Sequence, residues 1–186
     1  TSDYSGIAGA GTLIITDIDG NEYQTVKIGN QWWMAENLTV THYQNGDAIP
    51  HVESDTDWSN LSTGAHGFHY NNPSYIATWG RLYNWYAVND SRNMAPEGWH
   101  VPTNSEWLDL IDYLGGIVAA GHKLRETGST HWPTTNTAAT NSSGFTALPS
   151  GYRSNAGSYH GLNSKAFFWT TTSMNTSTAA YWNMHS

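Results

Sequence analysis

The chain has 186 residues, the size of one domain with a single substantial core, and a formal net charge of −8 with only seven lysines and arginines. No basic run occurs, which argues against nucleic acid as a partner, and no run of about 18 apolar residues occurs, so we expect a soluble chain without membrane insertion. The absence of cysteine excludes disulfides, thiolate metal sites and a cysteine nucleophile.

Polarity in this chain comes from uncharged side chains. Only 12% of residues are charged, whereas 13% are aromatic, including ten Trp and eleven Tyr. Asn, Ser, Thr and Gly supply the remaining polar character. A surface of hydroxyls, amides and aromatic faces is common in extracellular binding proteins and in sugar-contacting sites, so the composition favours a binding function.

The N-terminal part of the chain predicts an antiparallel meander. We expect residues 1–11 to be a flexible segment, followed by one domain over residues 12–186. Alternating apolar residues predict two strands, the Gly29-Asn30 dipeptide predicts a hairpin, and a third strand follows. The three strands are Thr12–Thr16, Glu22–Ile28 and Gln31–Met34.

The middle of the chain predicts two helices after an irregular stretch. Thr41–Tyr75 is too rich in Gly, Asn, Asp, Ser and Pro for a regular element, and we expect a long ordered loop or a set of short turns. Thr78 caps a predicted helix from Trp79 to about Val88. A second helix follows the corner Ala95–Thr103, where Thr103 and Glu106 form a Thr-x-x-Glu capping box.

The second helix is expected to end at Leu114, before the left-handed stop Gly115-Gly116. Short strands with intervening loops are predicted for the rest of the chain. We expect a strand or turn at Lys123–Arg125 and strands at Phe145–Pro149, Ala166–Thr171 and Ala179–Met184.

Five blocks of sequence in order resemble the Fibrobacter succinogenes major paralogous domain, a family of bacterial secreted and surface proteins. The blocks are Asp19–Tyr23 with Val26–Leu38, Gly80–Trp85, Pro96–Pro102, Gly144–Pro149 with Gly151–Arg153, and Phe168–Thr171. The resemblance implies an α+β, C-type-lectin-like fold, in which two helices flank a small twisted antiparallel sheet and long ordered loops carry the ligand site. It also implies an extracellular or cell-surface location.

The chain departs from the family pattern in three respects. Cysteines that family members often carry are absent, with Ala95 and Phe68 or His69 in their regions. The family's final strand does not follow, because the sequence stops at Ser186. Either the domain lacks its last strand here, or a partner strand from another chain or from a missing C-terminus completes the sheet. The calcium-dependent lectin motifs are absent, although Trp182-Asn183-Met184 begins like one.

Polar residues inside the family blocks are candidates for structural roles. Glu36, Asn37, Arg81, His100 and Arg153 are either ligand contacts or an acid/base set, or they are buried hydrogen-bonding struts, which is the interpretation we favour.

Metal binding has weak support in the sequence. The closest histidine pair is His66-x-x-His69, without the further spacing of a zinc site. Asp17-x-Asp19-Gly20-Asn21 resembles part of a calcium loop but also serves as an ordinary turn. We therefore predict no cofactor. A structural calcium stays an open alternative, because loop carbonyls leave no spacing signature.

The aromatic residues divide into a framework set and a ligand set. Trp32, Trp33, Trp85, Trp99, Trp107 and Phe145 are expected in the core. The resemblance places the ligand surface toward the C-terminal loops and strands, so the predicted ligand-binding residues are Tyr152, Tyr159, His160, Trp169, Tyr181 and Trp182.

These expectations lead to a non-catalytic extracellular recognition module that binds a glycan or a protein. The copper-oxidase chemistry of the related formylglycine-generating enzymes needs a cysteine pair and is excluded, and no Ser-His-Asp order replaces it. A glycosidase carboxylate pair has no specific support. The alternative is a structural subunit or tip module of a surface filament or adhesin, assembled by strand complementation.

Overall fold

The computed structural model describes residues 13–175 and 178–186, which form a mixed α+β domain. The segment predicted to be flexible, residues 1–11, lies outside the described residues, as does Thr12. Within the described chain no helix is both long and apolar enough to span a bilayer.

The predicted N-terminal meander is confirmed. Strands β1 (Ile14–Thr16), β2 (Glu22–Ile28) and β3 (Gln31–Met34) form an antiparallel sheet in that order. Val26 opposite Trp33 sets the register of the hairpin. Alternation along β2 buries Tyr23 and Thr25 on one face and exposes Gln24, which lies between them.

The stretch from Thr41 to Tyr75 is an ordered set of short elements. It contains helix α1 (Asp55–Ser59), strand β4 (His66–Gly67) and two short 3-10 helices, His69–Asn71 and Pro73–Tyr75.

The prediction of one continuous helix over Trp79–Val88 is wrong. The structure instead has α2, the short strand β5, which pairs with β4, and α3. Gly80 breaks the helix because its φ is +71°, and a Cβ there would lie 2.6 Å from the Cβ of Asn37. Asn84 then caps a new helix by accepting a hydrogen bond from the Ala87 N–H. The three elements are α2 (Ile76–Trp79), β5 (Leu82–Tyr83) and α3 (Trp85–Val88).

The capped second helix is confirmed as α4 (Asn104–Tyr113), with both bonds of the capping box formed between Thr103 and Glu106. A further helix, α5 (Ile117–Leu124), follows at once. The predicted strand or turn at Lys123–Arg125 is therefore wrong for its first two residues, which end α5.

Four strands near the C-terminus form a second sheet in the order β7-β6-β8-β9. The predicted strand at Phe145–Pro149 is wrong in extent, because only Ala147 makes a bridge, to Arg125, and the strand begins at Ser150. Strand β7 occupies a region predicted as loop. The strands are β6 (Ser150–Arg153), β7 (Tyr159–Leu162), β8 (Lys165–Asn175) and β9 (Thr178–His185).

The main core lies between α4, α5 and the inner face of the second sheet. Trp107 is 1% exposed, and its ring lies 4.9 Å from that of Trp33. A second cluster holds Trp99 and Trp32 against β1 and β2. Five of the six aromatics expected in the core are buried, and the sixth, Trp85, is partly buried and packs against a further hydrophobic cluster that includes Tyr43 and Val88.

The corner Ala95–Thr103 joins α4 to the second sheet. Pro102 accepts a hydrogen bond from the Thr171 N–H at 2.9 Å, and the Asn104 N–H donates to the Thr172 hydroxyl at 3.0 Å. These bonds attach the start of α4 to the middle of β8. The corner is therefore a structural element of the core.

Candidate functional site

The candidate site lies on the outer face of the second sheet, away from α4 and α5. Strands β8 and β9 pair with Phe168 opposite Trp182 and Trp169 opposite Tyr181. Successive side chains of a strand point to opposite faces, so these two pairs lie on different sides of the sheet. Even-numbered residues near the pairs face the core, and odd-numbered residues face outward.

Trp182 belongs to the inner face. Its indole N–H donates to the Asn104 side-chain oxygen at 3.0 Å, and its ring lies 6.5 Å from that of Trp107. The ring also packs against the main core. The structure therefore does not place Trp182 with the other predicted ligand residues.

The outer face carries a continuous series of aromatic rings. From β7 across the sheet, successive ring centroids lie 5.2, 4.6, 5.6, 6.3 and 5.7 Å apart. Tyr181 is 52% exposed. We call this series the aromatic row; its members in spatial order are His160, Tyr152, Phe167, Tyr181, Trp169 and Trp85.

A cavity of about 1050 Å³ is lined by outer-face residues of β8 and β9 and also by main-core residues such as Trp107 and Phe168; we call it the cleft. Trp85 and Tyr86 of α3 contribute to its wall, as do residues from α1. The indole N–H of Trp169 donates to the Tyr83 carbonyl at 2.9 Å, which fixes the orientation of its ring. Concave sites lined by aromatic side chains with few polar groups are typical ligand sites.

Tyr159 lies on the other face of β7. Its hydroxyl donates to the Asn71 side-chain oxygen at 2.7 Å, and its ring centroid lies 4.9 Å from the Arg153 guanidinium carbon. Burial raises the pKa of the Tyr159 hydroxyl. Tyr159 therefore braces the loop before α2 and does not join the aromatic row.

Polar side chains flank the aromatic row on the same face. Lys165 pairs with His185 and Phe167 pairs with Asn183 across β8 and β9, so these side chains share the outward parity of Tyr181. All five line the cleft. The site thus combines aromatic surface with an ammonium, an amide and an imidazole.

The framework polar residues all make hydrogen bonds, but of the five only Arg153 is a buried strut, because Glu36 and His100 are exposed and Asn37 and Arg81 are partly buried. Arg153, with a fully buried side chain, donates to the carbonyls of Gly157, Val52 and Glu53 and to Asp55. The remaining four form the following contacts: Arg81 donates to the Thr39 carbonyl, Asn37 donates to the Trp79 carbonyl, Glu36 accepts from the Gln24 N–H, and His100 pairs with Glu106.

The histidine pair does not converge on one point. The His66 ring stacks on His51 at 5.2 Å, whereas the His69 Nε2 contacts the Ser150 carbonyl. Burial, with a contribution from the nearby Arg81 charge, lowers the pKa of His66 to about 3. Across the part of the chain that the structure describes, no group of three or more His, Asp or Glu side chains is arranged to hold a metal.

The calcium-like loop is a hydrogen-bonded turn. Asp17 accepts bonds from the backbone of Asp19 and Asn21 and from the Tyr23 hydroxyl. Asp19 accepts two bonds from Thr41, and those bonds contribute to a lowered pKa of its carboxyl group despite burial. Both carboxylates are thus occupied by protein donors.

The structure adds residues that sequence reasoning did not assign to the site. Phe167 lies inside a predicted strand and Trp85 is predicted for the core, while Lys165, Asn183 and His185 are not among the predicted ligand residues. The available signal was the period of two in β8, which gives Lys165 and Phe167 the same parity as Trp169.

Comparison with known proteins identifies a family. No curated protein and no solved structure matches the chain. The model of the Fibrobacter succinogenes major domain matches residues 26–185, which include the corner, both helices α4 and α5 and nearly all of the outer sheet face. The chain therefore belongs to the Fibrobacter succinogenes major domain family.

Proposed function

We propose that this domain is a non-catalytic carbohydrate-recognition module of a secreted or cell-surface protein, and that it binds its ligand on the aromatic row. The observation that carries the proposal is the position of the row. Its rings lie on the outer face of the sheet, where Tyr181 is 52% exposed, whereas Phe168 and Trp182 on the inner face pack against the main core. At the far end of the row, Trp85 and Trp169 are partly covered by a hydrophobic cluster.

Aromatic rings on a sheet surface suit sugar rings for a physical reason. The face of an aromatic ring is electron-rich, and it attracts the weakly positive C–H groups on the flat side of a pyranose. Tyrosine and tryptophan also supply large, rigid contact area at low cost in side-chain entropy. The series of rings spans several strands, so it offers stacking positions for more than one sugar unit.

The polar groups around the cleft support binding without catalysis. Glycoside hydrolysis generally uses two carboxylic acids across the scissile bond. Among the described residues that line the cleft, Glu36 is the single carboxylate, and it accepts a hydrogen bond from the Gln24 N–H at 2.7 Å. The hydroxyls, amides and ammonium of the cleft are suited to orienting sugar hydroxyls.

The test is binding of the chain to a panel of polysaccharides by affinity electrophoresis and calorimetry. Tyr181→Ala should weaken binding about 5- to 30-fold, the loss for an aromatic contact of about 1–2 kcal/mol. Tyr113→Ala is the matched control, because Tyr113 is 67% exposed on α4 and does not line the cleft. Equal affinities for native protein and Tyr181→Ala would exclude the row as the site.

We also propose that the domain has a C-type-lectin-like architecture. In support, α4 packs on α5 and on β8 and β9, and long ordered segments separate the regular elements. An experimental structure that superposed on the helices and central strands of C-type lectin domains would support this assignment.

A second candidate function is assembly by strand complementation in a surface filament or adhesin. Its support is that β9 forms an edge of the second sheet and pairs only with β8 among the described residues. Exposed edges accept strands from other chains. Sedimentation should then show concentration-dependent assembly, whereas a monomer at all concentrations would argue against it.

A further inference from the structure

We infer that the cleft prefers an acidic polysaccharide, one whose sugars carry a carboxylate or a sulfate ester. This inference rests on the proposed function and specifies its ligand class. It comes from the juxtaposition of the Lys165 ammonium with Phe167 and Tyr181 on the outer face of the sheet.

Charges are distributed unevenly between the cleft and the rest of the molecule. Three of the chain's seven basic residues line the cleft, namely Arg81, Arg153 and Lys165. Of its 15 acidic residues, only Glu36 does so in the described chain. Because Arg153 is paired with Asp55, the balance in the cleft is Arg81 and Lys165 against Glu36. A protein with a net charge of −8 thus offers a cleft with a small positive balance, which favours an anionic ligand there.

The basic groups differ in their availability to a ligand. Arg153 is buried, and its guanidinium donates hydrogen bonds to backbone carbonyls and forms an ion pair with Asp55. Arg81 donates to the Thr39 carbonyl and has no ion pair with a described carboxylate. Lys165 is exposed, and within residues 13–175 and 178–186 its ammonium has neither a hydrogen bond nor an ion pair. Lys165 is therefore the most available cation in the cleft.

The spacing on β8 fits a sugar with a charged substituent. Residues at i and i+2 on one strand lie about 6–7 Å apart on the same face. A pyranose stacked on Phe167 would therefore place an exocyclic anionic group within reach of the flexible Lys165 side chain. Asn183 lies opposite Phe167 and offers amide groups to the adjacent hydroxyls.

The test compares matched anionic and neutral polysaccharides at pH 7 and roughly physiological salt, where charges on opposite sides of the protein are screened from one another. One pair is polygalacturonate and its carboxyl-reduced form; the other is dextran sulfate and dextran. Native protein should prefer the anionic member of at least one pair, and the pair identifies the group. Lys165→Gln should reduce that preference about 5-fold.

Lys27→Gln is the matched control, because Lys27 lies over Trp32 and outside the cleft. Equal loss of preference in Lys165→Gln and Lys27→Gln would indicate general charge attraction and overturn the inference. Binding of both members of each pair with equal affinity, still weakened by Tyr181→Ala, would overturn the inference and leave the proposed function standing. Absence of binding to every polysaccharide would overturn both.

Discussion

Replacing Arg153 with methionine tests whether the candidate site is held in place by a buried cation. The Arg153 guanidinium is out of contact with solvent, since its side chain is 0% exposed, and its hydrogen bonds join strand β6 to the segment before α1. It donates to the Gly157 carbonyl at 2.8 Å and to the Val52 carbonyl at 2.5 Å. It also lies 4.2 Å from the centroid of the Trp58 ring.

The expected loss of stability depends on which hydrogen-bond acceptors of Arg153 can bond to water once the guanidinium is removed. Glu53 and Asp55, two further partners of Arg153, are exposed and can bond to water after the substitution. The carbonyls of Gly157 and Val52 are less accessible, and each unpaired group costs about 1–3 kcal/mol. Arg153→Met should therefore lower the free energy of unfolding by about 3 kcal/mol, and the thermal midpoint by about 6–12 °C for a chain of this size.

Urea denaturation and thermal melts measure this effect, with two comparison variants. Arg153→Lys keeps the charge but lacks the planar fork that serves several acceptors, so it should recover only part of the loss. Arg92→Met removes a guanidinium that is paired with Asp47 and Asp90 at the surface, and it should change stability much less. A cost below about 1 kcal/mol for Arg153→Met would refute the strut role.

Two further predictions concern the core and pH. Trp99→Ala truncates a ring that is 4% exposed and should lower the free energy of unfolding by about 3–5 kcal/mol. Below the melting temperature the variant should keep its polysaccharide affinity. Loss of affinity in the folded variant would contradict the division between framework and site. Burial keeps His66 and His69 neutral in the folded protein, whereas their unfolded pKa is about 6.5. Stability should therefore be full above pH 6.5 and fall as the pH is lowered, for His66 down to about pH 3, by up to about 1.4 kcal/mol per pH unit for each group. His66→Gln should remove about one proton from the difference in proton binding between the unfolded and folded states, so the free energy of unfolding should fall less steeply with decreasing pH. Urea titrations between about pH 7 and 4 measure this slope, and an unchanged slope would contradict the prediction.

Local signals account for the elements that the sequence predicts well. The capping box at Thr103 and Glu106 satisfies the first turn of α4 within a few residues, so no distant contact is needed to place it. The Gly29-Asn30 hairpin and the alternation of β2 work in the same way. These elements were predicted close to their observed bounds because neighbouring residues determine them.

Distant contacts decided the elements that the sequence mispredicted. The periodicity of Trp79–Val88 favours one helix, but Asn37 lies against Gly80 and the chain turns there into β5. Strand β7 has weak intrinsic preference and forms because β6 pairs with it, with Tyr152 opposite His160. Pairing of this kind depends on residues that local patterns do not connect.

The sequence by itself determined the family, the α+β class and the concentration of aromatic residues near the C-terminus. Which of those residues form a site was decided only by the tertiary structure. Tyr181 and Trp182 are neighbours with similar composition signals, yet Tyr181 faces outward and Trp182 packs near Trp107. The physical reason is that strands alternate with a period of two, and the packing of α4 on β8 and β9 selects which half of the alternation is buried.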